Sequence, residues 1–200
     1  MTWLILGLVL FLGPHSVRIF ADDWRTKTIE SVGDKAFKGV YAVITLLGFY
    51  ALIIGYAEVR MQPVLVWQPP IWTRHMSVLL MLFASILLVA TYIPGNHLKL
   101  RLGHPMVLSV KVWALSHLLA NGNLADLLLF GAFLLWSVLI YRASRARDRA
   151  NLQKIKSEDA SSEPVAKMSA TLTACVLGTL LWAGITFYLH AMVVGVSPLS

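Results

Sequence analysis

Long apolar segments recur along this chain, and they limit its fold more strongly than any other feature. A helix that crosses a membrane needs about 20 mostly apolar residues, because the hydrocarbon core of a bilayer is about 30 Å thick. The sequence predicts six such helices, at about residues 2–20, 39–57, 76–93, 105–121, 124–141 and 171–194. We therefore expect an all-α, polytopic integral membrane protein in which residues 1–200 form one transmembrane domain.

The composition supports a membrane protein and argues against a nucleic-acid partner. Hydrophobic residues make up 58% of the chain and charged residues only 14%, whereas charged residues make up about a quarter of a typical soluble domain. The net charge of +7 comes from basic residues between the apolar segments, where lipid headgroups attract them. The lone Cys175 excludes an intramolecular disulfide and a Cys-x-x-Cys-His haem attachment. The expected partner is the lipid bilayer.

The basic residues also predict how the chain is oriented. Apart from Arg60, Arg74 and Lys111, every lysine and arginine lies in or beside the segments that join helices one and two, three and four, and five and six. The positive-inside rule places these segments in the cytoplasm and both termini on the non-cytoplasmic side. The longest of them, residues 142–170, is basic and then rich in Ser, Glu and Ala. We predict that it is a solvated and largely disordered cytoplasmic loop.

One apolar segment, residues 103–126, carries an unusual number of polar side chains. It reads GHPMVLSVKVWALSHLLANGNLAD. Polar groups are costly in hydrocarbon because no water solvates them, so several within one apolar segment indicate a site. His104-Pro105 suits the start of the fourth helix. The sequence Asn121-Gly122-Asn123 predicts a tight turn, after which the fifth helix runs back antiparallel.

Two of the six histidines, His15 and His117, lie inside apolar helical runs. An unpaired imidazole is expensive there, and a metal, a haem or a hydrogen-bond partner would offset its cost. The other histidines have simpler interpretations: His75 and His97 as exposed groups at the membrane interface, His104 as a helix cap or a proton-transfer or phosphate-contacting group, and His190 as either a ligand or an ordinary polar group.

Helical spacing places His117 on a face that could line a flat macrocycle. At 100° per residue, this face also carries Met106, Val110, Trp113 and Asn121. Trp113 could equally be an ordinary packing residue. A haem needs an imidazole aimed at its iron, apolar walls around the ring and basic groups for its propionates.

The basic candidates for haem propionates are Lys111, Arg18 and Arg101. Lys111 has two simpler alternatives, because its long side chain could reach the headgroups or pair with Asp126.

Four short motifs resemble those of a known family. They are Pro14-His15-Ser16-x-Arg18, His104-Pro105-Met106, Trp113-Ala114-x-Ser116-His117 and Asn121-Gly122. In this order they resemble the NnrU family of bacterial membrane proteins over roughly residues 1–190. They are also similar to motifs of the plant 15-cis-zeta-carotene isomerases, which are integral membrane haem b enzymes.

The resemblance implies a multi-pass protein of the bacterial inner membrane that binds haem b. It implies that His15 and His117 are the axial ligands of the iron. We expect Arg18, His104, Lys111 and Asn121 to support the haem as propionate or neighbouring polar contacts. The NnrU label also implies a context of denitrification and nitric oxide metabolism.

Depth in the membrane argues against the pair implied by the resemblance. If Thr2 marks the outer surface, His15 lies about 20 Å below it, whereas His117 lies only about 7 Å from the outer turn that follows it. The two depths agree only if that turn is sunk in the bilayer or if the first helix projects outward. A pairing of His117 with His190 or His75 matches better in depth.

Three functions remain open from the sequence. The first is a redox-gated haem isomerase that converts a lipophilic polyene between cis and trans forms. The second is a non-enzymatic membrane factor that handles haem or nitric oxide, supports denitrification enzymes and meets a membrane redox partner. The third is a methyltransferase-like membrane enzyme, because a His-Pro helix start before a tight helical hairpin resembles that group too. A wide lipid-facing pocket beside His117 would favour the isomerase.

Overall fold

The computed structural model describes residues 1–156 and 165–199. In these residues the chain is helical, with no strand beyond one isolated bridge between Leu65 and Asn123. Its helices are α1 (Thr2–Phe20), α2 (Asp22–Val32), α3 (Asp34–Arg60), α4 (Ile71–Tyr92), α5 (His97–Leu102), α6 (Pro105–Ala120), α7 (Leu124–Lys156), α8 (Met168–Gly184) and α9 (His190–Val194). A π-helical turn, Ile185–Leu189, joins α8 to α9.

Five helical runs in the described residues are long and apolar enough to cross a membrane. They are Thr2–Phe20, Asp34–Arg60, Ile71–Tyr92, Leu124–Gln153 and Met168–Val194. The predicted fourth span corresponds to α6, which has 16 residues. A helix of that length rises about 24 Å, less than the hydrocarbon thickness of about 30 Å. The all-helical membrane architecture is therefore confirmed, while the sixth span and the orientation of the termini stay predictions.

The structure corrects the predicted loop 142–170, because α7 continues as a helix to Lys156. Residues 142–156 contain alanine, arginine, leucine and lysine but no glycine or proline. These residues favour a helix whether or not lipid surrounds them, so the helix does not stop where the apolar run stops. Residues 157–164 of the predicted loop lie outside the described residues. The charged segment before α3 is also helical, as α2.

The chain forms two compact units, and residues 1–68 with 122–143 make the first. In this unit α1 packs antiparallel against α3, and Gly7, Gly48 and Gly55 let the two backbones approach closely. A Cβ atom added at Gly48 would lie 2.6 Å from the backbone nitrogen of Phe11. The adjoining core contains Leu4, Leu52, Val59 and Ala125.

Residues 69–121 and 144–200 form the second unit, of which 200 and 157–164 are not described. Here α4 packs against both α6 and α8. Buried hydroxyl groups link α4 to α6, because Ser77 donates to the Ser116 carbonyl at 2.6 Å and Ser109 donates to the Ala84 carbonyl at 2.7 Å. The indole of Trp182 on α8 donates to the Val78 carbonyl at 2.9 Å. These bonds fix the helices around the region described next.

Candidate functional site

His117 lies in the last turn of α6, and its ring is held by its own helix. Its Nδ1 atom lies 2.9 Å from the Trp113 carbonyl, and the Trp113 ring centre lies 5.3 Å from the imidazole. A carbonyl can only accept, so Nδ1 carries the proton and the lone pair is on Nε2. Histidines that bind metals almost always have this arrangement, in which the other ring nitrogen donates to a backbone or carboxylate oxygen.

His190 lies beside His117 in the same unit. Its Nδ1 atom lies 2.6 Å from the Val196 carbonyl, which places the lone pair on Nε2 here as well. The two imidazole centres are 6.4 Å apart, and their planes differ by 29°. Depth in the membrane favoured His190 or His75 as the partner of His117. The structure places His190 beside His117, whereas His75 is exposed.

The π-helical turn directly precedes His190 and sets its position. A π-turn has one more residue per hydrogen-bonded turn than an α-helix, so it shifts the register of everything that follows it. The buried Thr186 in this turn lines the same cavity as His190. The sequence left His190 undecided because it lies about one turn from the end of the sixth predicted helix.

The two imidazoles share a cavity of about 200 Å³. Val78, Met81 and Ile185 supply part of its apolar wall, and Arg74 is the basic residue in its lining. Asn121 also lines it, and the Asn121 side-chain amide donates to the His117 carbonyl at 2.9 Å. The cavity therefore combines two oriented imidazoles, an apolar wall and a cation.

The two histidine nitrogens of this cavity suit a haem iron, but the enclosed volume is too small for the whole macrocycle. Two metal–nitrogen bonds of about 2.0–2.1 Å place two ligating nitrogens about 4 Å apart, and ring centres 6.4 Å apart allow that separation because the nitrogens lie at the ring edges. The volume is below the range of about 300–1,000 Å³ that encloses a drug-sized ligand. Both imidazoles are only partly buried, so a macrocycle bound here would extend beyond the cavity.

His15 belongs to the first unit and has an environment of its own. Its Nδ1 atom lies 2.6 Å from the Phe11 carbonyl, and its ring stacks on Phe11 with centres 4.6 Å apart. Tyr41 and Trp136 complete an aromatic cage, with ring centres 5.3 Å and 6.0 Å from the imidazole. His15 and His117 thus lie in different units, and their pairing stays a prediction.

A protein-family model matches almost the whole chain. The model described as "NnrU protein" matches residues 3–198. The chain belongs to the NnrU family. No curated protein and no solved structure matches it significantly. The family prediction is confirmed over almost the whole chain, and these comparisons do not show the similarity to the plant isomerase.

The other predicted site residues of this NnrU protein are distributed between the two units. Asn121 lines the His117 cavity, whereas Arg18 lines a second cavity beside His15 and pairs with Asp22 at 3.6 Å. The Nε2 atom of His104 lies 3.0 Å from a carboxylate oxygen of Asp148, within hydrogen-bond distance, at the start of α6. Lys111 lines neither cavity.

One buried polar cluster, around Asp126, was not predicted from the sequence. Asp126 is 3% exposed and accepts hydrogen bonds from the Tyr56 hydroxyl at 2.5 Å and the Asn123 amide at 3.1 Å. Nearby, Leu124 donates to the Val64 carbonyl at 2.8 Å and so ties the start of α7 to the segment after α3. These bonds satisfy a carboxylate that the sequence offered only as an alternative partner of Lys111.

Among residues 1–156 and 165–199, no group of three or more His, Cys, Asp or Glu side chains could hold a metal ion. A haem needs fewer protein ligands than a bare metal ion, because the macrocycle itself supplies four nitrogens and the chain supplies only one or two ligands. The pair of His117 and His190 meets that requirement.

Proposed function

We propose that this NnrU protein is a multi-pass protein of the bacterial inner membrane that binds haem b, whose iron His117 and His190 would hold. The observation that carries the proposal is the shared cavity in which both imidazoles are fixed through Nδ1 and their centres are 6.4 Å apart. An imidazole fixed in this way loses little freedom on binding a metal. When bound, the haem supplies an iron that can change oxidation state and take a small ligand.

The other cavity residues have roles that follow from their chemistry. Arg74 would hold a propionate, because a guanidinium matches the geometry of a carboxylate. Asn121 closes the end of α6 through the His117 carbonyl, and it thereby fixes the turn that carries the ligand. Ser116 lies 3.2 Å from the His117 Nδ1 atom and adds a second polar contact to that nitrogen.

The size of the cavity favours handling of haem or of a small gas over conversion of a polyene. A cavity of about 200 Å³ is too small to enclose a long polyene. A diatomic molecule such as nitric oxide would fit this volume, and its binding to the iron would require one of the two histidines to leave. We therefore propose the non-enzymatic factor, which supports denitrification enzymes, as the function. The isomerase and its lipophilic substrate stay sequence-based predictions.

The first experiment is an absorption spectrum of the full-length protein in detergent, oxidised and then reduced with dithionite. We expect a Soret band with sharp reduced α and β bands, as two histidine ligands give. His117→Ala and His190→Ala should each shift the haem bands or lose them, because each removes one of the two nitrogens that would hold the iron. His75→Ala is the matched control, because His75 is exposed and lines neither cavity.

Three results would contradict parts of this proposal. A colourless protein after expression with added haem would refute haem binding. A spectrum that changes in His15→Ala and not in His190→Ala would replace our pair with the pair implied by the family resemblance. Conversion of a cis-carotene by the reduced protein, without any shift of the spectrum under nitric oxide, would favour the isomerase over the factor.

A further inference from the structure

A second cavity, of about 210 Å³, lies in the first unit where α2 joins α1 to α3. Three cations, Arg18, Arg25 and Lys38, are among its lining residues, together with His15 and Tyr41. No aspartate or glutamate is in that lining. The geometry points to a binding site for a phosphate group, carried by the headgroup of an anionic phospholipid or by a free phosphate ester.

Charge is the first argument for a phosphate. The cations come from three consecutive helices, Arg18 from α1, Arg25 from α2 and Lys38 from α3. Cations that line one cavity attract an anion into it. A phosphate in the cavity could accept charge-assisted hydrogen bonds from these cations. The lining therefore has the charge that an anion site needs.

The carboxylates nearby do not neutralise this cavity fully. Arg18 pairs with Asp22 at 3.6 Å, and Lys38 pairs with Asp34 at 2.6 Å. All four side chains are at least 40% exposed, so water screens both pairs and each contributes little free energy. A phosphate can share these cations without leaving a buried carboxylate unpaired.

Arg25 is held in place by an aromatic ring. Its guanidinium carbon lies 5.6 Å from the centre of the Phe37 ring, within the range of a cation–π interaction. Phe37 itself lines the cavity. This contact orients the guanidinium without supplying a negative charge, so the cation is positioned and its charge stays available to an anion.

The surroundings favour a lipid headgroup as the source of the phosphate. The exposed rings of Phe20 and Trp24 lie in and just before α2, and Trp24 is 57% exposed. Tryptophan prefers the depth of the headgroups, where an apolar ring meets water. No residue of α2 is buried, as expected of a helix that lies along a membrane surface. Basic pockets between membrane helices at this depth bind anionic headgroups.

Native mass spectrometry of the delipidated full-length protein tests the site. Phosphatidylglycerol and phosphatidylcholine with identical acyl chains are offered in equal amounts, and the ratio of their adducts is measured. We expect wild-type protein to prefer phosphatidylglycerol, and Arg25→Gln/Lys38→Gln to reduce that preference by about five- to twenty-five-fold, at about fivefold for each cation. The matched control is Lys27→Gln/Lys35→Gln, which removes the same charge from exposed positions outside the lining.

A competition step identifies the source of the phosphate. Inorganic phosphate and glycerol 3-phosphate are titrated against the phosphatidylglycerol adduct. Displacement at millimolar concentrations assigns the site to a free phosphate ester, and persistence of the adduct assigns it to the lipid headgroup. Lys38→Gln alone, at an exposed side chain, replaces the double variant if that variant does not fold, with an expected loss of about fivefold.

Two outcomes overturn the inference. An equal loss of preference in the test and control variants would mean that net charge, and not this cavity, selects the lipid. Absence of any preference for phosphatidylglycerol, together with no binding of phosphate, would mean that the cavity holds no anion. Neither outcome depends on the haem spectrum, so this inference and the proposed function can fail separately.

Discussion

The close approach of α1 and α3 predicts opposite effects for one substitution at two glycines of the same helix. In Gly48→Ala the new Cβ atom would meet the backbone nitrogen of Phe11 at 2.6 Å and the backbone carbon of Leu10 at 2.7 Å. In Gly39→Ala, the matched control, the Cβ atom would meet nothing within 4 Å. Both glycines lie within α3, so the same gain in helix propensity applies to both.

The magnitude follows from the distances. Ordinary van der Waals contact begins at 3.4 Å, so at Gly48 the two backbones must separate by about 0.8 Å, and such overpacking costs about 1–3 kcal/mol. Replacing a helical glycine by alanine gains up to about 1 kcal/mol. We therefore expect Gly48→Ala to lower the free energy of unfolding by up to about 2 kcal/mol, and Gly39→Ala to raise it by up to about 1 kcal/mol.

Thermal unfolding in one detergent, followed by circular dichroism, measures the difference. At about 2–4 °C for each kcal/mol in a chain of this size, Gly48→Ala should unfold at a lower Tm than the wild type, by up to about 8 °C. Gly39→Ala should unfold at the same Tm or a higher one. A Gly48→Ala protein as stable as Gly39→Ala would refute the close packing of α1 against α3.

Three further predictions follow from buried or irregular features. Tyr56→Phe should cost about 1–3 kcal/mol of unfolding free energy, because buried Asp126 loses a hydrogen bond; a Tm equal to that of wild type would contradict it. Asn96→Ala should lower the free energy of unfolding by at least as much, because this fully buried side chain donates to the Ala90 carbonyl and accepts from the Lys99 amide. Urea unfolding measures this loss, and a free energy equal to that of the wild type would contradict it. The π-turn accommodates one extra residue, so deletion of exposed Tyr188 should convert it into an α-turn and leave His190 on the same face; the haem spectrum should stay that of the wild type, and the spectrum of His190→Ala would contradict this prediction.

The membrane helices could be predicted because their cause is local. Each apolar run is expected to be a helix whatever surrounds it in the fold, because in lipid the backbone N–H and C=O groups must hydrogen-bond within the segment. The ends are harder to predict, as α7 shows, because residues 142–156 favour a helix outside lipid too. The contact between Tyr56 and Asp126 joins residues 70 positions apart. No periodicity in the sequence reports such a contact, because it depends on how α3 and α7 pack.

In the candidate site, too, contacts between residues close in sequence could be predicted and contacts between distant residues could not. His117 and Asn121 could be placed together from the sequence because they lie four residues apart at the end of one helix. Depth offered His190 only as one of two partners for His117, and the contact itself could not be predicted, because a π-turn at Ile185–Leu189 precedes His190 and its ring is anchored on the Val196 carbonyl beyond α9. A π-turn costs hydrogen-bond geometry and persists where the side chains it positions have a use. That cost is an independent reason to regard His190, and not only the motif histidines, as part of the site.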